Sequence, residues 1–130
     1  LDIHPEFKPR LKANLKEILN FTKNNIPSEW KNSALSWRGI RILKRNALII
    51  ISNKKLKKYL PEVHQAIKAR SPIIRGYAIC AASEIKDRSS VSIIRKQYKI
   101  EKNNNVLCEI NRAFKKNKHW GVINVKNRSK

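Results

Sequence analysis

Acidic residues are scarce in this chain, and that scarcity constrains it most. Nine Asp and Glu stand against thirty Lys and Arg over 130 residues, a formal net charge of +21. A surplus of this size repels itself in the compact state, so a polyanionic partner is expected. Glycine is also thin, with three residues, which leaves no Gly-rich loop to cradle a nucleotide. Cysteine is limited to Cys80 and Cys108, and their positions predict buried free thiols in a cytoplasmic protein. Long apolar runs are missing; none approaches the roughly 18 residues that span a bilayer. His4, His64 and His119 are scattered without ligand spacing, so no metal site is expected. No Ser-His-Asp or Cys-His pairing stands out, so no catalytic residue and no bound cofactor is expected in the chain. It opens at Leu1 rather than Met and reads as a fragment of something longer.

What is present is helical periodicity. From Ser36 to Ser52, Ile40, Leu43, Ala47, Ile50 and Ile51 form one apolar stripe at 3.6-residue spacing. Arg38, Arg41 and Arg45 keep the same spacing but start two positions earlier, about 200° round the helix at about 100° per residue. The one helix therefore carries a core side and a row of guanidinium groups, with Lys44 beside it. Shorter amphipathic segments flank it. Pro9 opens a helix that carries Leu11, Leu15, Ile18 and Leu19. Pro61 begins one with Val63, Ala66 and Ile67 inward. Ser71-Pro72 is a capping hydroxyl followed by a first-turn proline, and Ile74, Ala78, Ala81 and Ile85 share the face behind it. A helix from Ser89 or Ser90 puts Val91, Ile94 and Tyr98 inward and Arg95, Lys99 and Lys102 outward. The Asn103-Asn104-Asn105 triplet caps a last one with Val106, Leu107, Ile110, Ala113 and Phe114. No strand is predicted.

The segments repeat. Lys44 to Ser52 lies over Arg75 to Ser83 at an offset of 31, and Val106 to Ile110 gives a weaker third copy at an offset of 32. A helix pair of this length is the unit of short HEAT-type solenoids. The expected fold is all-α, a short HEAT-like stack of about six to seven helices. Residues 1–35 form an extended segment and leading helices, 36–116 the repeats, and 117–130 a basic, partly frayed tail. Charge follows the repeats: residues 1–35 carry net +2, 36–75 net +10 and 76–130 net +9.

At Ser33 to Asn53 the chain resembles a known family. Ser33-Ala34-Leu35, Gly39, Arg41, Arg45-Asn46-Ala47-Leu48 and Asn53 are similar to the C-terminal HEAT-like region of bacterial epoxyqueuosine reductases. The likeness continues upstream through Phe7-Lys8-Pro9-Arg10, Leu15, Leu19 and Trp30. Downstream it takes in Leu60-Pro61, Ser71-Pro72-Ile73-Ile74-Arg75, Ala78, Ala81 and Val106 to Phe114. Ser52 departs from it, standing where the family usually has Gly. The resemblance implies a parent enzyme that reduces epoxyqueuosine to queuosine in tRNA with cobalamin and two [4Fe–4S] clusters. Those clusters need eight cysteine thiolates in ferredoxin-like runs, so that chemistry would lie in an absent N-terminal catalytic domain.

The implied role is a non-catalytic domain that docks the tRNA anticodon stem-loop, as a monomer and away from any membrane. Candidate phosphate contacts are Arg38, Arg41, Lys44 and Arg45, the link lysines Lys54, Lys55, Lys57 and Lys58, and a second zone with Arg95, Lys96, Lys99, Lys102, Arg112, Lys115 and Lys116. Arg75 is expected to be structural, bonding carbonyls or an acid of a neighbouring repeat, with Asn46 and Asn53 as further structural positions. Trp120 is a candidate base-stacking group or an anchor to the absent domain. Two other functions compete. A HEAT-like DNA glycosylase would need a positioned carboxylate, for which Glu62 and Asp87 are poor candidates. A protein-interaction solenoid would present an apolar patch, for which Ile3, Phe7 and Leu11 are candidates.

Overall fold

Helix boundaries follow local chemistry. In the computed structural model, which describes residues 15–20 and 37–123, Ser71 caps a helix through Oγ, which accepts from the Ile74 amide, and Pro72 takes the first position. Asn103 caps another, its Oδ1 accepting from the amides of Asn105 (2.9 Å) and Val106 (3.2 Å). The helices are α1 (Leu15–Leu19), α2 (Trp37–Lys54), α3 (Leu60–Ile67), α4 (Pro72–Ile85), α5 (Ser89–Ile100) and α6 (Asn104–Lys116). Short 3-10 turns at Lys57–Tyr59 and Lys118–Trp120 follow α2 and α6. Among the described residues there is no strand, and the fold is all-α. The expected helix start at Pro9 and the apolar segment of Ile3, Phe7 and Leu11 lie outside the described residues.

The helix α4 is the hub. It packs along α2 on one flank and α6 on the other, with α3 behind it, while α5 bridges α3 and α6. Small side chains permit this approach: Ala78, Ala81 and Ala82 are all fully buried where α4 meets its neighbours. The core runs through Leu48, Ile51, Val63, Ile67, Ile79, Ile94, Ile110 and Phe114 as one cluster. Burial repeats with the sequence register. Leu43, Ala47, Leu48 and Ile51 match Ile74, Ala78, Ile79 and Ala82 at an offset of 31, and each is buried. At an offset of 32, Ile74, Ala78, Ala81 and Ala82 match Val106, Ile110, Ala113 and Phe114, again all buried.

Helix ends repeat too. The helix α2 closes with Lys55 in the left-handed region (φ 52°), where the Leu56 amide donates to Ile51 O and the Lys55 amide to Ser52 O. The helix α4 closes with left-handed Lys86 (φ 65°), whose amide donates to Ala82 O. Such ends favour glycine, because a side chain in this conformation crowds the backbone. The two lysines stand 31 residues apart.

Three expectations need correction. Trp120, a candidate base-stacking group in the sequence, is 3% exposed and meets Phe114 edge-on at 5.6 Å. Trp120 is a core residue and cannot stack on a base, because the turn at Lys118–Trp120 folds it back under α6. The expectation of two buried thiols fails for Cys108, which is exposed, whereas Cys80 is half-buried. Cys108 takes the register position of Gly76, on the outer side of the row. On α2, which packs against α1 and α4, the core side takes in Leu48 and leaves Ile50 half-buried.

Candidate nucleic-acid interface

The few carboxylates determine which cations are already neutralised. Arg75 and Glu101 form a buried two-pronged pair: Nε donates to Oε1 at 2.8 Å and Nη2 to Oε2 at 2.7 Å. Arg75 Nη1 also donates to the carbonyls of Ala69 (2.9 Å) and Arg70 (2.8 Å). Glu101 is 1% exposed. Burial pushes its carboxyl up, but the bonds from Arg75, Gln97 and the Asn103 amide outweigh that and hold it below the ordinary value. Arg75 thus clamps the end of α3 to the end of α5. Three more acids are committed: Asp87 to Lys57 at 2.8 Å, Glu109 to Arg112 at 3.0 Å, and Glu84 to Lys116. Asp87 also accepts from the Ser89 amide at 2.8 Å, so this rival glycosylase carboxylate serves as a capping group.

No carboxylate is carried by α2 itself. Arg41, Lys44 and Arg45 are half-buried along it, while the Arg38 side chain lies outside the described residues. Burial lowers the Lys44 ammonium from its ordinary pKa. Arg41 and Arg45 line a cleft with Ile42, Ser71 and Ile73, and the Nε of each is buried without a hydrogen-bond partner. Asn46 is buried beside them and Asn53 is exposed near the helix end.

A second basic feature emerges only on folding. The C-terminal ends of α2, α4 and α6 lie along one edge, stitched by Lys57 to Asp87, by Lys116 to Glu84, and by Asn117 Nδ2 donating to Ser83 O and Oγ at 3.1 Å each. Each turn on this edge is basic. The first holds Lys54, Lys55, Lys57 and Lys58, the second Lys86 and Arg88, the third Lys115, Lys116 and Lys118, and all are exposed. Sequence reasoning named the first turn and part of the third, and it missed Lys86, Arg88 and Lys118. The signal was available: Lys86 stands one repeat length after Lys55. The expected second zone does not form one row. Arg95, expected outward, instead donates to the carbonyls of Val122 (2.8 Å) and Trp120 (3.1 Å) and covers the Phe114 ring at 4.9 Å. It pins the last turn. Lys96, Lys99 and Lys102 remain exposed on and just after α5. Lys96 and Lys102 flank a groove of about 590 Å³ whose lining includes Arg75 and Glu101.

His64 Nε2 and Ser90 Oγ are 2.8 Å apart, but Ser90 is fully buried and closed to a substrate. Burial lowers the His64 pKa, partly opposed by Asp87. Among the described residues, no three His, Cys, Asp or Glu stand together to hold a metal ion, and no helix is long and apolar enough to cross a membrane. Among the described residues, the geometry offers cation contacts.

Comparison with known proteins bears on what those contacts serve. No family model and no solved structure matches the chain. An uncharacterized protein from the gldA 3′ region of Geobacillus stearothermophilus is 32% identical over 112 residues, covering 83% of this chain and 52% of that protein. The epoxyqueuosine reductase of Bacillus subtilis is 28% identical over 124 residues, 92% of this chain but 32% of the enzyme. That of Listeria monocytogenes is 28% identical over 111 residues, 82% of this chain and 29% of the enzyme. The chain therefore spans from about a third to about half the length of these relatives. Over most of its length, this chain is related to one portion of the epoxyqueuosine reductases.

Proposed function

We propose that the chain is a non-catalytic, HEAT-like docking domain of an epoxyqueuosine-reductase-like protein, and that it binds the anticodon stem-loop of tRNA in the cytoplasm. The carrying observation is the basic edge, where the ends of α2, α4 and α6 and the turns after them present nine exposed Lys and Arg. Glu84 and Asp87 are the acids paired there. Cations at helix C-termini also complement the helix dipole, but a few would suffice for that. The edge suits phosphate and shape recognition, which carries little base specificity. Sequence choice, and any reduction with cobalamin and iron–sulfur clusters, would belong to the rest of such a protein. Ile73 and Tyr77 on α4, 57% and 37% exposed, border a groove between α4 and α6 where that remainder could pack.

The test is a salt titration of binding to an anticodon stem-loop beside a DNA duplex of equal charge. Tighter stem-loop binding at matched salt, with a slope reduced by K55E, K58E, K86E and K118E together, is the expected result. Equal affinity for both nucleic acids, or a slope unmoved by those substitutions, would overturn the reading.

A further inference from the structure

We propose that the cleft between α2 and the first turn of α4 is a phosphate site, gripped by Arg41 and Arg45 and closed by Ser71. The cleft is about 500 Å³, and among the described residues Ile42 and Ile73 also line it. Arg41 and Arg45 stand four residues apart on one helix, a spacing at which like charges repel. Each also keeps a buried Nε–H with no hydrogen-bond partner, an arrangement that a folded protein tolerates poorly. An anion between the two guanidinium groups relieves the repulsion and takes up both donors. A tetrahedral phosphate can accept from two guanidinium forks at once, whereas a carboxylate offers one two-pronged edge.

Ser71 adds to the fit. Its Oγ lies 3.5 Å from the Ile74 amide, a long bond that uses a lone pair and leaves the hydroxyl proton to donate. Ser71 is also the N-cap of α4, the end at which the helix dipole is positive. Ile42 and Ile73, 42% and 57% exposed, give the carbons of a sugar an apolar wall. The phosphate follows from the cleft alone, and only its assignment to an RNA backbone rests on the docking function proposed above.

The test is 15N NMR of the arginine side chains in the full 130-residue chain. Inorganic phosphate, titrated at fixed ionic strength, should shift the Nε–Hε signals of Arg41 and Arg45 saturably and leave those of Arg88 and Arg112 in place. The R41K/R45K double variant keeps both charges but loses the forks, and it should bind phosphate about tenfold more weakly. Shifts spread over all arginines without saturation, or unchanged affinity in the double variant, would overturn the site. The wild-type titration decides the matter even if that variant fails to fold. Adding the anticodon stem-loop then identifies the source. Displacement of phosphate from Arg41 and Arg45 assigns the site to RNA. Stem-loop binding that leaves those two signals at their phosphate positions supports a site for free phosphate or a nucleotide. If the stem-loop does not bind at all, the docking function falls and the saturable phosphate shifts still uphold the site.

Discussion

Glu101 shows how much one carboxylate can hold in a chain this basic. It receives Arg75, Gln97 and the Asn103 amide in a buried position. Glu101→Gln should lower unfolding free energy by about 3 kcal/mol in urea titration, because a guanidinium 15% exposed loses its countercharge. The pH dependence has a definite sign. Glu101 and Asp87 have folded pKa values below their ordinary 4.5 and 3.8, Asp87 through its bonds from Lys57 and the Ser89 amide. Their contributions are present above those ordinary values and are lost as pH falls below them. His64, lowered from 6.5 by burial, acts in the same direction, since the unfolded chain takes up its proton first. Urea midpoints should therefore fall steadily from pH 7 to pH 3, and Glu101→Gln should flatten the acidic part of that fall. Trp120 belongs to the same scale: Trp120→Ala removes a buried ring and should cost about 3–5 kcal/mol. A merely stacked tail residue would cost almost nothing, so thermal unfolding separates the two.

At the level of the helix, the ends are where sequence and structure can be tested apart. Asn103→Ala removes the acceptor for two amides at the start of α6 and should cost about 1 kcal/mol. Lys55→Gly and Lys86→Gly should go the other way, each gaining roughly 0.5–1 kcal/mol by relieving a left-handed lysine. The gain is partly offset by the greater freedom of glycine in the unfolded chain. If both lysines are kept for phosphate contact, the stabilised double variant should also bind RNA more weakly, which equilibrium unfolding and a binding titration on the same sample would reveal. The Ser71-Pro72 start and the Asn103 cap were legible in sequence because a cap is a local bond between neighbours. Left-handed lysines were not, since no residue preference announces them.

Across the whole molecule, a net charge of +21 should show itself as a steep salt dependence. Each phosphate contact contributes a slope of about 0.7–0.9 in log affinity against log salt. Reversing four charges on the edge through K55E, K58E, K86E and K118E should lower that slope by about three to four. K96E, K99E and K102E, on and just after α5, should lower it less per substitution if the edge is the docking surface.

The all-α class, the caps, the 31-residue register and the charge surplus were all readable in the chain, because periodicity, capping and composition act over a few residues. The fold then allotted the charges. Arg75 and Arg95 look alike as basic residues on helices, yet one is locked to Glu101 and the other holds the carbonyls of Trp120 and Val122. Lys55, Lys86 and Lys118 become neighbours along one edge because α2, α4 and α6 lie in a row, their ends stitched by Lys57 to Asp87 and by Asn117 to Ser83. Partners such as Glu101, 26 residues from Arg75, are chosen by packing between helices. A helical period of 3.6 residues carries information about one helix and none about which neighbour it meets.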